Sequence, residues 1–181
     1  MTVIWSNYIT EEPEIVDTAD LVFNTIQTTF ENKKKQYASK SDTPVQTWTL
    51  RWDSLDEDTL NNIFNFYVAR KGEYEAFYWY HPYEKTTLTA NENGNTVLHV
   101  AQTMRVLVGD IIRIGPTEVY TVDSIQDSAK TITVTGAVGA EAVSGATVQI
   151  RYTVRCVTPL TYETLKAWLY KIGLTFERNM A

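Results

Sequence analysis

Few side chains in this sequence are of a type and spacing that could do chemistry. The two histidines, His81 and His99, have no cysteine and no paired carboxylates near them at ligand spacing, so no metal site is expected. Cys156 falls in an alternating apolar row with Tyr152 and Val154. With no histidine close in sequence to activate it, it reads as a small core residue and not as a nucleophile. Asp56, Glu57 and Asp58 cluster as acid–base groups do, but they sit where a helix should begin, and the helix dipole favours negative charge there whatever the function. Gly136-Ala-Val-Gly139 is too short to cradle a phosphate and precedes no helix. There is no G-x-S-x-G or Walker-type run either, so nucleotide and serine-hydrolase chemistry are not expected. No catalytic group and no cofactor is assigned, and the chain is not expected to be an enzyme.

Two stretches qualify as binding surfaces. Phe77-Tyr-Trp-Tyr-His-Pro-Tyr83 offers rings that could stack on sugars, since Trp and Tyr combine an apolar face with a polar tip. An aromatic strand after an amphipathic helix more often supplies core on one face and a subunit contact on the other. Tyr78, Tyr80 and Tyr83 are therefore the candidate subunit interface. Lys33-Lys34-Lys35 lies between two extended segments, 21 to 30 and 36 to 40, and reads as a solvated hairpin tip, not a nucleic-acid patch.

Composition narrows the classes further. The 181 residues carry 16 Lys and Arg against 22 Asp and Glu, a formal charge of -6, which is the wrong sign for neutralising phosphates, so specific nucleic-acid binding is not expected. Charged residues make up 21% and apolar residues 44%, the balance of a folded domain and not of a disordered acidic tail. Thr and Val number 26 and 17, and their branched Cβ atoms favour sheet. No apolar run approaches the roughly 20 residues needed to cross a bilayer, and the opening Met1-Thr-Val-Ile-Trp-Ser6 lacks the form of a secretory leader. Membrane insertion is not expected, and the lone cysteine forbids an internal disulfide.

The elements that must position these residues divide by their aromatic content. The 67 residues from Glu84 to Ile150 contain one aromatic, Tyr120, whereas the flanking 114 hold the other 21. Within the aromatic-poor stretch, β-branched runs at 96–100, 111–114, 117–122, 131–135 and 146–150 are separated by Gly109-Asp110, Gly115-Pro116, Asp127-Ser128 and Ser144-Gly145. Ile132 and Val134 alternate with Thr131, Thr133 and Thr135. Five short strands with such turns predict a small barrel or sandwich. The expectation is an inserted β-barrel over 84–150, entered at Pro82 to Lys85, within a discontinuous aromatic-rich domain of 1–83 and 151–181. In that domain Ser54-Leu-Asp-Glu57 predicts a capping box, Leu60, Ile63, Phe64, Tyr67 and Val68 an apolar helical stripe, and Arg70-Lys71-Gly72 its end. Trp48, Leu50 and Trp52 predict a strand before the helix, and Tyr74 to Tyr80 a strand after it. A second helix is predicted after Thr158-Pro159, with Leu165, Trp168, Leu169 and Ile172 on one face and Gly173 as its stop, and then a last strand through Leu174 and Phe176. The fold class is mainly β with some helix (α+β), a sandwich or split-barrel core bearing two helices and interrupted by the small barrel.

Phe30-Glu-Asn-Lys-Lys-Lys-Gln36, Trp48-Thr-Leu-Arg-Trp52, Phe66-Tyr-Val-Ala-Arg-Lys-Gly72 and Glu75-Ala-Phe-Tyr-Trp-Tyr-His-Pro82 together resemble the core of the distal tail and minor tail protein M families of long-tailed bacteriophages. Phe30, Gln36, Gly72, Phe77, Trp79 and Pro82 carry the likeness, which covers about half the chain. The glycine common at the family's hairpin is replaced here by the lysine run, and the stretch 84–150 is similar to the OB-like domain that some distal tail proteins carry after this strand. The resemblance implies a structural protein of the virion, located at the tail tip or baseplate and assembled in the bacterial cytoplasm. It would form a homo-oligomeric ring, typically a hexamer, joining the tail tube protein to the tip or baseplate hub proteins while DNA passes through the channel. An acidic wall would repel passing DNA and not trap it, and open sheet edges invite completion by neighbouring subunits. The alternative is a carbohydrate- or receptor-binding module of a phage tail.

Overall fold

The computed structural model describes residues 4, 5, 9, 13, 15–22, 25–30, 33–39 and 45–178. Glu31, Asn32 and Lys40 of the hairpin region, and most of the first fourteen residues, lie outside them. In chain order the elements are β1 (Ile15–Val22), β2 (Thr25–Thr29), β3 (Lys35–Ser39), β4 (Val45–Leu55), α1 (Glu57–Ala69), β5 (Phe77–Thr87), β6 (Val97–His99), β7 (Ile111–Ile114), β8 (Glu118–Gln126), β9 (Thr131–Val134), β10 (Thr147–Cys156), β11 (Thr161–Lys166) and β12 (Leu169–Arg178). The chain is mainly β, and α1 is the single α-helix among the described residues.

Two compact units result, Met1–Phe77 with Thr153–Ala181, and Tyr78–Tyr152. The chain passes between them within β5 and within β10. Pro82 to Lys85, the expected point of interruption, lies inside unbroken strand. Proline is tolerated there because β5 has β10 as its one strand partner among the described residues, so Pro82 can face its missing donor away from the ladder.

In the first unit β4 is the central strand. Trp48, Leu50 and Trp52 alternate onto its buried face, and a register shift against β12 after Trp52 buries Leu55 as well; all four are at most 1% exposed. β12 runs antiparallel beside it and opposes Phe176 to Trp48, Leu174 to Leu50 and Ile172 to Trp52, so large apolar side chains meet directly across the ladder. β1 pairs with the other edge of β4, from Ile15 opposite Arg51 to Val22 opposite Val45. Cys156 pairs with Phe176. Trp5 completes this core, its ring 4.9 Å from Phe66, 5.3 Å from Phe176 and 5.8 Å from Phe77.

The helix departs from the sequence reading at its start. Ser54 belongs to β4, and the cap is Asp56, whose Oδ1 accepts the Thr59 N–H at 2.7 Å. The strand runs on because Leu55 is a core residue at 1% exposure, which moves the helix cap two residues later. Glu57 and Asp58 occupy the first turn, beside the positive end of the dipole. The buried stripe is Leu60, Ile63 and Phe66, and Phe64 and Val68 are 49% and 56% exposed. Arg70 caps the helix, Lys71 and Gly72 both take left-handed φ of 54° and 64°, and Tyr74 lies in the following turn, before β5 begins.

The second predicted helix does not form. Residues 161–166 and 169–178 are the strands β11 and β12, joined through Ala167 and Trp168, with Trp168 at φ 76°. Gly173, expected to stop a helix, sits mid-strand opposite Arg51 and Thr161. The apolar spacing of Leu165, Trp168 and Leu169 mimics a helical stripe, but all three are exposed. What decides the conformation is the row Ile172, Leu174 and Phe176, which needs an extended chain to meet β4.

The second unit is built from β10–β7–β8–β9–β6, with β5 also on β10. Ile112 stands between Ile150 and Tyr120, Val122 opposes Val134, and Leu98 opposes Ile132. An isolated bridge between Leu88 and Val100 brings the chain after β6 against the chain after β5, so the two ends of the strand order meet. The core is largely aliphatic, with Leu88, Leu98, Ile112, Ile114, Ile132 and Ile150 at most 2% exposed. Trp79 and Tyr152 add an aromatic pair at 6.3 Å.

Candidate interaction surface

β5 divides its aromatic residues by the alternation of a strand. Phe77 and Trp79 are at most 1% exposed, so two of the rings in the 77–83 run are core and do not present a sugar platform. The candidate interface residues fare differently from one another. Tyr78 is half-buried beneath the Arg151 guanidinium, 4.0 Å from ring centre to Cζ. Tyr80 is buried beneath Arg113 at 3.8 Å, and Tyr83 is 58% exposed.

Arg113 is held in place through Gln149. Its Nη2 donates to Gln149 Oε1 at 2.9 Å, and Gln149 Nε2 donates to the His81 carbonyl at 2.8 Å. Gln149 and Arg113 are cross-strand partners, as are Arg151 and Ile111. Both arginines therefore share one face of the second unit with Tyr78 and Tyr80. In the sequence, Arg113, Gln149 and Arg151 are marked only by their polar positions within alternating strands.

Both histidines lie in the second unit, each in its own setting. His81 Nδ1 accepts the backbone N–H groups of Tyr83 at 3.2 Å and Glu84 at 3.1 Å. Burial lowers its pKa from the ordinary 6.5, the Glu84 charge opposes that shift, and Arg105 adds to it. The neutral ring with its proton on Nε2 is the form this geometry accepts. His99 Nδ1 lies 2.7 Å from Oε1 of Glu92, a carboxylate 2% exposed that also accepts from Asn95 Nδ2 at 2.7 Å and from the His99 N–H at 3.2 Å. These bonds hold the Glu92 pKa below its ordinary value against its desolvation. Among the described residues no group of three or more His, Cys, Asp or Glu is placed to hold a metal.

In the first unit Cys156 is 1% exposed, and burial, aided by the Glu73 charge, pushes its thiol up to about 12. Lys33, Lys34 and Lys35 lie at the turn between β2 and β3. Thr29 pairs with Lys35, the Phe30 N–H donates to the Lys34 carbonyl at 2.9 Å, and Lys33 adopts φ 63°, the left-handed form that glycine takes at least cost. β2 and β3 make a two-stranded sheet of their own. Every described side chain from Gln27 to Ala38 is exposed, including Phe30 at 48% and Tyr37 at 63%. An open groove of about 280 Å³ lies over Gly173, between Arg51, Glu163 and Lys171, where Lys171 Nζ is 3.2 Å from Asp53 Oδ1.

Compared with family models and with curated proteins, the sequence matches none of them.

Proposed function

We propose that this chain is a structural protein of a bacteriophage tail. In this reading it is a distal tail ring that joins the tail tube to the tip or baseplate complex around the DNA channel, with the second unit as an OB-like β-barrel inserted in a sandwich-like core. The observation that carries the reading furthest is the β2–β3 arm. It is a two-stranded sheet whose described side chains all face solvent, with Phe30 and Tyr37 among them. An isolated hairpin is marginal in water, and exposed aromatic side chains on such an element find their burial on a neighbouring subunit. A head-to-tail contact of that kind closes a ring when its rotation allows. The meeting of strand ends at Leu88 and Val100 favours a closed barrel for the second unit.

The reading is tested by electron microscopy and native mass measurement of the purified protein. Six copies at 20.7 kDa make a ring of about 124 kDa with a central hole, and Tyr37→Asp should return it to a monomer that still unfolds cooperatively, without the stabilisation that association adds. A stable monomer that binds glycans on an array would favour the carbohydrate- or receptor-binding module instead.

A further inference from the structure

The Arg113 and Arg151 face of the second unit carries two guanidiniums without a close ion-pair partner among the described residues, Arg113 acting on the Glu141 carboxylate only at longer range. The protein has six more carboxylates than cationic side chains, yet neither arginine forms an ion pair among the described residues, unlike Arg70 and Lys71 with Glu75, or Lys171 with Asp53. Each guanidinium is instead laid flat on a tyrosine ring, Arg113 on Tyr80 and Arg151 on Tyr78. Stacking of this kind occupies the face of the guanidinium and leaves its in-plane donors to a carboxylate. The Nε of Arg151 is buried without a hydrogen bond, so the terminal Nη groups carry that residue's remaining bonding capacity.

We infer that this face binds an extended acidic segment of a partner protein, with carboxylates at alternate residues. Spacing supports the choice. Arg113 pairs with Gln149 and Arg151 with Ile111, which makes the two arginines diagonal neighbours on adjacent antiparallel strands, about 7–8 Å apart. In an extended chain, side chains at i and i+2 share a face and stand about 6.6 Å apart. Two carboxylates at that spacing reach both guanidiniums together, one on the Nη groups of Arg151 and one on the donors of Arg113 that Gln149 does not take. Tyr and Arg are also the residue types that dominate binding energy at protein interfaces. The inference rests on the second unit alone and stands apart from the ring assignment.

The test uses the full chain and a fluorescein-labelled octapeptide of alternating Glu and Thr, with binding read by anisotropy at low ionic strength. The Glu–Thr peptide is expected to bind at least tenfold more tightly than its Gln–Thr counterpart. Arg113→Gln and Arg151→Gln should each weaken it about tenfold, Arg151→Lys should weaken it although the charge remains, and Lys166→Gln should leave it unchanged. Where an Arg→Gln variant fails to fold, Arg151→Lys and the salt dependence of wild-type binding carry the same comparison. Equal binding of the Gln–Thr peptide, or an equal loss in Lys166→Gln, would overturn the inference. So would displacement of the peptide by inorganic phosphate at matching concentration, which would make the face a general anion site.

Discussion

Glu118 and Glu141 cap one another. The Glu118 carboxylate accepts the backbone N–H of Glu141 at 3.1 Å, and the Glu141 carboxylate accepts the backbone N–H of Glu118 at 3.1 Å. Glu141 also takes the Thr117 N–H at 2.9 Å and the Thr117 hydroxyl at 2.7 Å. Glu118 takes the Tyr120 hydroxyl at 2.9 Å and the Gly139 N–H at 3.1 Å. The exchange ties the β7–β8 turn to the segment before β10. Gly115 leaves room for it, because a side chain there would begin 3.0 Å from Glu141 Cβ and the residue sits at φ 57°.

The donors from Thr117 hold the Glu141 pKa below its ordinary value, because each hydrogen bond favours the ionised form. A carboxyl lowered by folding contributes stability that is present above its unfolded pKa and lost as pH falls through the folded one. Melting temperature should therefore fall as pH drops from about 5 to about 3, and Glu141→Gln should flatten that limb while lowering the melting temperature at neutral pH. An acid limb of unchanged slope in the variant would remove Glu141 as its source.

His81 adds a second limb at milder pH. Its folded pKa lies below the ordinary 6.5, so the unfolded chain takes up the proton first, and stability declines as pH falls below about 6.5. Protonation of Nδ1 would also remove the acceptor for the Tyr83 and Glu84 N–H groups. His81→Gln should abolish this decline between about pH 7 and pH 5.5. Chemical denaturation across that range checks it, and a decline that persists in the variant would refute it.

Phe64 and Phe66 should differ sharply in their response to truncation. Phe66 is 3% exposed and packs edge-on against Phe77 at 5.0 Å, so Phe66→Ala should cost about 3–5 kcal/mol. Phe64 is 49% exposed, and its replacement should stay within about 1 kcal/mol. Urea denaturation distinguishes the two, and the reverse order would place the buried face of α1 where the sequence stripe put it.

Trp168 occupies a left-handed turn at φ 76° with 71% of its surface exposed. A bulky residue there carries strain that glycine does not. Trp168→Gly should leave stability within about 1 kcal/mol of the wild type, since relief of strain offsets the added freedom of the unfolded chain. A loss of about 3 kcal/mol or more would mean the ring is core, as a helix over these residues would require.

What was legible in the sequence depended on whether a local pattern and its distant partner agreed. Trp48, Leu50 and Trp52, and Ile132 with Val134, alternate as strands and pair as strands, because burial on one face and the period of the pleat make the same demand. The acidic start of α1 was legible for the same reason, with the cap shifted by two residues because Leu55 had a core to fill. Phe64 and Phe66 both suit a helical stripe, and Trp5 and Phe77, which lie outside the helix, select Phe66. Leu165, Trp168 and Leu169 imitate a helix, but β12 pairs with a strand more than a hundred residues earlier, and that pairing outweighs local periodicity. The stacked arginines depend on the register between β7 and β10, which alternation alone does not set.

The ring assignment is tested most directly in assembly extracts from which this protein has been removed, with tails counted by electron microscopy. A connector between tube and tip is required for completion, so such extracts should yield no complete tails, and adding back the purified protein should restore them. Complete, normal-looking tails assembled without it would contradict the assignment.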